Sequence, residues 1–419
     1  MPSPSRASGT VLRDRDFRLL WAGQAASQFG AQAGQVVLPL VAVLTLDAST
    51  GRLGALRAVE QAPILLFSLF AGAWVDRRRA RDVMVVADLG RVLALAGVAL
   101  AYPLGVLGLP VLFVAAFAVG VLGVFFDVAY QASLVRLVGR DELARGNSAL
   151  EGSRSAAQIG GPALGGALVS LLSAPVAALA GAFFFVLSAV SIRRIRRKEA
   201  LPAPPRERRN GRLWPQIREG LQLVARQPAL RSLGIASAVF QFSFAALMTV
   251  YLLFLPRGLH LSGAAVGLAL AATGPGALVG SLLAARLPGR FGHGRVLVAA
   301  AVLADGVMLC VPALHGPTAV TVSLLMGINF AFGVCSQLVN VTLMAVRQAV
   351  TPVRIQGRVV ATVNFVGMGL TPVGSLLGGV LADGLGLRSG LLVAAVGLAL
   401  SPLCMALSPL ARLGRTLPL

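Results

Sequence analysis

The sequence predicts an all-helical (all-α) membrane protein whose twelve transmembrane helices form two pseudo-symmetric six-helix bundles. Three observations support this prediction. Hydrophobic residues make up 56% of the 419 residues and charged residues only 13%, with a mean hydropathy of +0.80, whereas soluble domains contain about 25% charged residues. Twelve apolar stretches are long enough to cross a bilayer, which takes about 20 residues each. Prolines and Gly-Gly pairs of the first half recur in the second half at similar spacing.

The twelve stretches follow one another with short polar connections. Several exceed the minimum length for a span, which indicates tilt or extension beyond the hydrocarbon layer. They lie approximately at 17–46, 52–75, 82–104, 109–135, 141–172, 175–194, 229–256, 262–287, 294–314, 317–347, 352–383 and 387–410.

Basic residues set the expected orientation and account for the net charge of +21. With the N-terminus placed in the cytoplasm, 31 of the 37 basic residues fall in cytoplasmic segments, four in outer loops and two within spans. This asymmetry follows the positive-inside rule. We therefore expect a multi-pass protein of a bacterial cell membrane with both termini cytoplasmic, and no nucleic-acid partner. The N-terminus shows no signal-peptide cleavage site, so we expect it to be retained.

The longest hydrophilic stretch separates the two halves. It contains the single lysine, Lys198, and a proline-rich run at 202–205, as expected of a linker. Apolar residues then recur at helical spacing from Trp214 to Val224, which predicts a short helix on the anionic inner leaflet. The expected domains are a bundle at 1–194, a cytoplasmic linker at 195–228 and a bundle at 229–419.

The halves repeat their prolines at a near-constant offset. Pro63 and Pro275 are 212 residues apart, and Pro162 and Pro372 are 210 apart. A Gly-Gly pair follows Pro162 at 165–166, and another follows Pro372 at 378–379. Weak repetition of this kind indicates a duplicated six-helix unit.

Ionisable residues inside the spans are the first candidates for chemistry, because burying a charge in a membrane is costly. One interpretation is that they only neutralise one another as ion pairs, and we prefer it for Asp88 and Arg91, which are three residues apart. The set comprises Asp88 and Arg91 in span 3, Asp127 in span 4, Glu151 and Arg154 in span 5, and Asp305 in span 9.

A carboxyl group can exchange protons when burial favours its neutral form and a nearby arginine favours its ionised form. Asp127 and Glu151 combine these influences, and either could bind the coupling proton. Asp305 is a third candidate.

Amides and aromatic residues form stripes on spans 1, 4, 7 and 10. They could hydrogen-bond helices together, or they could line a cavity suited to a bulky, amphipathic solute. The cavity-lining candidates are Gln24, Gln28, Gln32 and Gln35 in span 1, Tyr130 and Gln131 in span 4, Gln241, Met248 and Tyr251 in span 7, and Asn329, Gln337 and Asn340 in span 10.

Span 5 contains a regularly spaced set of glycines: Gly152, eight residues, Gly161-Pro162, two residues, and Gly165-Gly166. Such glycines allow two membrane helices to approach closely, so tight helix packing alone is one interpretation. The spacing also resembles the fifth-helix signature of antiporters of the major facilitator superfamily.

The loop after span 2 resembles a second motif of the same superfamily. Gly72, Asp76, Arg77 and Arg81 stand at the motif positions, whereas Arg79 and Ala80 depart from it. The resemblance implies that this loop ties the halves together and helps to govern opening. Without the resemblance, Asp76 would simply cap span 3 or pair with Arg77.

The stretch from Asp127 to Arg154 is similar to bacterial drug-efflux members, among them macrolide-efflux and enterobactin-exporter relatives. The resemblance implies the major facilitator fold and a monomeric, proton-coupled exporter of drug-like solutes that works by alternating access, with a small-molecule solute, protons and the lipid bilayer as partners. An importer or facilitator of nutrients, and a non-transporting receptor, are the alternatives.

We expect neither an enzyme nor a cofactor or metal. The single lysine is followed by Glu199, so a phosphate-binding Gly-Lys-Ser/Thr loop is excluded. The three cysteines, Cys310, Cys335 and Cys404, are scattered through apolar spans, which argues against a disulfide framework.

Overall fold

The structure, a computed structural model, describes residues 13–75, 78–138, 143–197, 222, 227–350 and 367–414. In this part of the chain the regular structure is helical. Six helices make up the first half: α1 (Arg15–Leu44), α2 (Thr50–Val75), α3 (Ala80–Ala101), α4 (Leu109–Leu137), α5 (Leu143–Leu171) and α6 (Ala174–Arg193).

The second half contains six further spans, several of which are built from two pieces. Span 7 is α7 (Pro228–Leu253) with a π-helical turn (Phe254–Gly258), and span 8 is α8 (Gly263–Ala271) followed by α9 (Thr273–Ala284). A short helix, α10 (Leu287–Phe291), leads into span 9. The remaining spans are α11 (His293–Met308), α12 (Ala319–Val350), α13 (Thr371–Leu385), and α14 (Leu387–Leu398) with α15 (Leu400–Ala406).

The fold class predicted from the sequence is confirmed, and the span boundaries differ in detail. Ten segments within the described ranges are long and apolar enough to cross a membrane. Predicted spans 8 and 12 are each interrupted, at Ala272 and Ala399. Predicted span 11 begins outside the described residues, and α13 starts with Pro372 in its first turn, where proline is tolerated.

Contacts divide the chain into two compact units. The first contains residues 1–38 and 66–206, and the second contains residues 39–65 and 207–419. The second unit therefore includes a piece of the first half, the segment 39–65, which the sequence grouped with the N-terminal bundle. The predicted linker at 195–228 and its interfacial helix lie almost entirely outside the described residues, so that division stays a prediction.

Each unit has its own apolar core. In the first unit, Phe17, Met84, Phe126 and Ile192 come from four helices and pack together. In the second unit, Tyr251 and Phe254 of span 7 pack with residues of α8, α11, α12 and α14. Many large apolar side chains of the helices are exposed, as expected of helices that contact lipid.

Candidate functional site

A buried ion pair lies within the first unit. Asp88 and Arg91 are 0% and 3% exposed, and the Asp88 Oδ1 to Arg91 Nη1 distance is 3.3 Å. The Ser27 hydroxyl of α1 donates to Asp88 Oδ1 at 3.1 Å and accepts from Arg91 Nη1 at 2.9 Å. The three-residue spacing on α3 thus produces the ion pair that we predicted from the sequence. Ser27 connects this pair to α1.

Two aromatic rings complete the surroundings of Arg91. Its guanidinium carbon lies 5.1 Å from the ring centre of Phe126 and 5.0 Å from that of Phe185. A cation over aromatic faces is stabilised by the ring quadrupoles, most strongly where water is excluded. Gly123 makes room on α4, because a Cβ there would lie 3.2 Å from Arg91 Nη2.

Asp127 lies one helical turn after Gly123 and has a different environment from Asp88. Asp127 is exposed, and its Oδ1 accepts a hydrogen bond from Gln28 Nε2 of α1 at 3.4 Å. Arg91 and Arg154 both interact with it electrostatically. The Asp127 carboxylate therefore lies about 15 Å from the end of α4.

The other ionisable candidates of the first half are only partly covered by the described residues. The side chains of Glu151, Asp76 and Arg77 lie outside the described residues, and Arg154 is exposed. Arg81 donates to the Ile195 carbonyl at 2.7 Å, which ties the start of α3 to the end of α6.

Asp305 occupies the interior of the second unit. It is 1% exposed, and neither carboxylate oxygen has a hydrogen-bond partner among the described residues. A buried carboxyl group without partners is strongly disfavoured in its charged form. Asp305 therefore differs from Asp127 in lacking both solvent contact and a described polar neighbour.

The predicted cavity-lining residues separate into two groups. Gln24, Tyr251 and Asn329 are buried and form hydrogen bonds between helices. Gln24 accepts from Ser153 of α5 at 2.9 Å, and Asn329 donates to the Tyr251 hydroxyl at 2.7 Å. These contacts agree with the interpretation that the amides hydrogen-bond helices together. The others are partly or fully exposed: Gln28, Gln32, Gln35, Tyr130, Gln131, Gln241, Met248, Gln337 and Asn340.

The glycines of span 5 bring α5 against the backbone of α1. A Cβ on Gly165 would lie 2.7 Å from the Ala33 carbonyl oxygen, and one on Gly161 would overlap the Gln32 Cβ. Gly152, by contrast, has open space within 4 Å. Pro162 lies inside α5, and Gly166 is buried.

The second half repeats this contact between α13 and α7. A Cβ on Gly374 would overlap the Phe242 carbonyl, and one on Gly378 would lie 2.8 Å from the Ala246 Cα. The pairs Gly165–Ala33 and Gly378–Ala246 differ by 213 residues on both sides. The repeat seen in the sequence is therefore also a repeat of backbone packing.

Several residues of the cluster were missed by the sequence reasoning. Ser27 lies three residues after Gln24, so the polar stripe on span 1 could have identified it. Phe126 and Phe185 gave no such signal, because a phenylalanine that covers a cation looks like any apolar residue of a span.

Comparison with known proteins identifies a matching family and several similar transporters. Residues 7–416 match the family described as transmembrane secretion effectors. The chain is 30% identical over 338 residues to the multidrug efflux pump Tap of Mycolicibacterium fortuitum, covering 78% of this chain and 80% of that pump. The Tap pump of Mycobacterium tuberculosis is 30% identical over 375 residues, which is 84% of each chain. A bacterial homologue of the iron transporter ferroportin, solved in an inward-facing state, has a TM-score of 0.74 at 17% identity and covers 93% of this chain and 98% of its own.

Proposed function

Because the chain belongs to the transmembrane secretion effector family of the major facilitator superfamily, we propose that it exports drug-like, amphipathic molecules from the cell. Relatives named as multidrug efflux pumps support the direction and the class of cargo. Protons that enter down their gradient drive the export, and the binding site is open to one side of the membrane at a time. Both termini face the cytoplasm, in accordance with the basic residues.

Asp127 is the residue that couples protons to transport. The observation that supports this role is the combination of an exposed side chain at mid-helix depth with electrostatic interactions with Arg91 and Arg154. A carboxyl group reached by water can bind a proton from one side and release it to the other. Gln28, which donates to Asp127, belongs to the stripe proposed to contact the solute, so proton and solute compete at adjacent positions.

Asp88 and Arg91 hold this site in place without carrying the proton. Both are buried, and Asp88 already has a cation and a hydroxyl as partners. Arg91 is confined between two phenylalanine rings, which hold its charge in place. The remaining candidates, Glu151 and Asp305, are secondary in this proposal.

The second half contributes an uncharged, aromatic surface to solute binding. Phe240 and Phe244 are partly exposed and stack with ring centres 5.4 Å apart, and the buried Phe332 of α12 stacks behind Phe244 at 5.7 Å. Gln241 and Met248 lie on the same helix as the first two rings and are partly exposed. Aromatic, thioether and amide groups suit a bulky amphipathic molecule better than a small anion or a sugar.

Uptake of lipophilic dyes and antibiotics into everted membrane vesicles tests this proposal. Energised vesicles with the natural chain should accumulate the compound, and a protonophore should abolish accumulation. Asp127→Asn should reduce gradient-driven uptake at least about tenfold at equal protein abundance, whereas Asp82→Asn, an exposed aspartate at the start of α3, serves as the matched control. Accumulation that continues after the proton gradient has been collapsed would contradict proton coupling. Transport only in right-side-out vesicles would indicate an importer.

A further inference from the structure

The first part of α2 and α13 lie side by side in the second unit and run in opposite directions. The Asp383 carboxylate, near the end of α13, accepts a backbone N–H of the first turn of α2 at 2.8 Å. A Cβ on Gly54 would lie 2.7 Å from the Ser375 carbonyl oxygen. Further along α2, Leu65 Cδ2 lies 3.0 Å from the position of a Cβ on Gly369, just before α13. One face of α2, from its first turn to Leu65, therefore meets one face of α13.

Four polar side chains lie on or beside these two faces, and each has a buried atom without a hydrogen-bond partner among the described residues. We call them the α2–α13 polar cluster: Arg57 (Nε), Gln61 (Oε1), Thr371 (Oγ1) and Ser375 (Oγ). Gln61 lies at helical spacing between Gly54 and Leu65, and Thr371 lies one turn before Ser375, which places both on the facing stripes. Ser375 is 0% exposed. The contact between the two helices therefore contains polar atoms that neither helix pairs.

Two other buried hydroxyl groups of the second unit have partners. Ser401 donates to the Ala236 carbonyl at 3.2 Å, and Thr342 donates to the Leu338 carbonyl at 2.7 Å. A buried polar atom without a partner destabilises the fold, because it has lost its hydrogen bonds to water. The cluster therefore lowers stability unless a further molecule pairs with it, which is the condition expected of a binding site.

The donors and acceptors of the cluster suit an uncharged group. The Arg57 guanidinium only donates, the Gln61 Oε1 only accepts, and the two hydroxyls do both. Glu60, one turn after Arg57, interacts with it electrostatically, so the positive charge is balanced and an anion gains little. Carbonyl and hydroxyl groups of an organic molecule meet these requirements.

The cluster is close to the surface that we assign to the solute. A Cβ on Gly367, four residues before Thr371, would lie 3.8 Å from the Gln241 Cγ of α7. Gln241 is partly exposed and stands in α7 between Phe240 and Phe244 of the aromatic surface. The residues that lead into α13 therefore bring the cluster next to that surface.

We propose that the α2–α13 polar cluster is a binding subsite for the uncharged carbonyl and hydroxyl groups of an amphipathic solute. This inference rests on the proposed function and deepens it, because it names the chemical feature by which solutes are selected. The apolar part of the solute contacts the aromatic surface, and its oxygen atoms pair with the cluster. Molecules without hydrogen-bonding groups gain nothing from the subsite.

Thermal unfolding of the purified protein in nanodiscs separates this role from a structural one. Ser375→Ala removes a hydroxyl group that no described residue pairs, so the unfolding midpoint without solute should stay equal or rise. Ser401→Ala is the matched control, because this equally buried serine is bonded to α7 and its loss should lower the midpoint by several degrees. A decrease for Ser375→Ala as large as that for Ser401→Ala would overturn the proposal.

Binding of two probes to the same proteins tests the chemistry of the subsite. Doxorubicin carries carbonyl and hydroxyl groups, whereas tetraphenylphosphonium has no hydrogen-bonding group. The Kd of doxorubicin should rise roughly tenfold in Gln61→Leu and in Ser375→Ala, as expected for the loss of one buried hydrogen bond. The Kd of tetraphenylphosphonium should stay unchanged in both variants, and Ser401→Ala should leave both constants unchanged.

The outcomes distinguish the subsite from the proposed export. Equal affinity for doxorubicin in the natural chain and both variants, including no measurable affinity in any of them, would overturn the subsite and leave the polar atoms to bound water. Doxorubicin that binds with the expected pattern, while energised everted vesicles accumulate neither compound, would contradict the proposed export and support the subsite.

Discussion

The glycine contact between α5 and α1 makes a quantitative prediction about a conservative substitution. In Gly165→Ala the new Cβ would lie 2.7 Å from the Ala33 carbonyl oxygen, about 0.7 Å closer than the 3.4 Å at which ordinary contact begins. The neighbouring atom belongs to the backbone of another helix and cannot rotate away. Overpacking of this kind costs about 1–3 kcal/mol, and the helix preference of alanine over glycine offsets about 0.5–1 kcal/mol of it.

The same motif supplies the control. Gly152→Ala places a Cβ where nothing lies within 4 Å, so only the gain in helix preference of about 0.5–1 kcal/mol remains. We therefore expect the thermal unfolding midpoint of the purified protein in nanodiscs to fall by several degrees for Gly165→Ala and to stay equal or rise for Gly152→Ala. Equal changes in the two variants would refute the assignment of Gly165 to backbone packing.

Three further predictions concern the buried polar groups. Arg91→Leu leaves Asp88 as an uncompensated buried charge, which costs about 3–5 kcal/mol. The double variant with Asp88→Leu should recover much of the decrease in the thermal unfolding midpoint. An equal decrease in the single and double variants would exclude a mutual ion pair. Ser27→Ala removes one donor and one acceptor from this pair and should lower stability by about 1–3 kcal/mol, with Ser170→Ala, an exposed serine of α5, as the control. Tyr251→Phe removes a single buried hydrogen bond to Asn329 and should cost about 1 kcal/mol while transport continues; loss of transport at normal stability would instead assign Tyr251 to solute binding.

The fold could be predicted from the sequence because the bilayer imposes simple rules. A span must be about 20 apolar residues long and must satisfy its own backbone, so composition and length identify it without knowledge of its neighbours. The ion pair of Asp88 and Arg91 followed in the same way, because helical spacing alone places both side chains on one face. The glycine spacing predicted a close helix contact correctly.

The partners across helices could not be predicted. The cap that Asp383 provides for α2 joins residues 333 positions apart, and no local pattern marks a helix start whose cap comes from elsewhere. Pro63 is visible in the sequence, but the assignment of residues 39–65 to the second compact unit is evident only in three dimensions. Gln24, Tyr251 and Asn329 carry polar side chains at cavity-like positions, and only their bonds to other helices show that they are buried.

The most direct test of coupled export is the movement of protons with the solute. Proteoliposomes that contain the purified protein and a pH-sensitive dye should show a proton flux when a transported compound is added, in the direction opposite to the compound. Asp127→Asn should abolish this flux while the compound still binds. A solute-dependent proton flux of normal size in the Asp127→Asn protein would contradict the assignment of coupling to Asp127, and no flux in the natural chain during transport would contradict proton coupling itself.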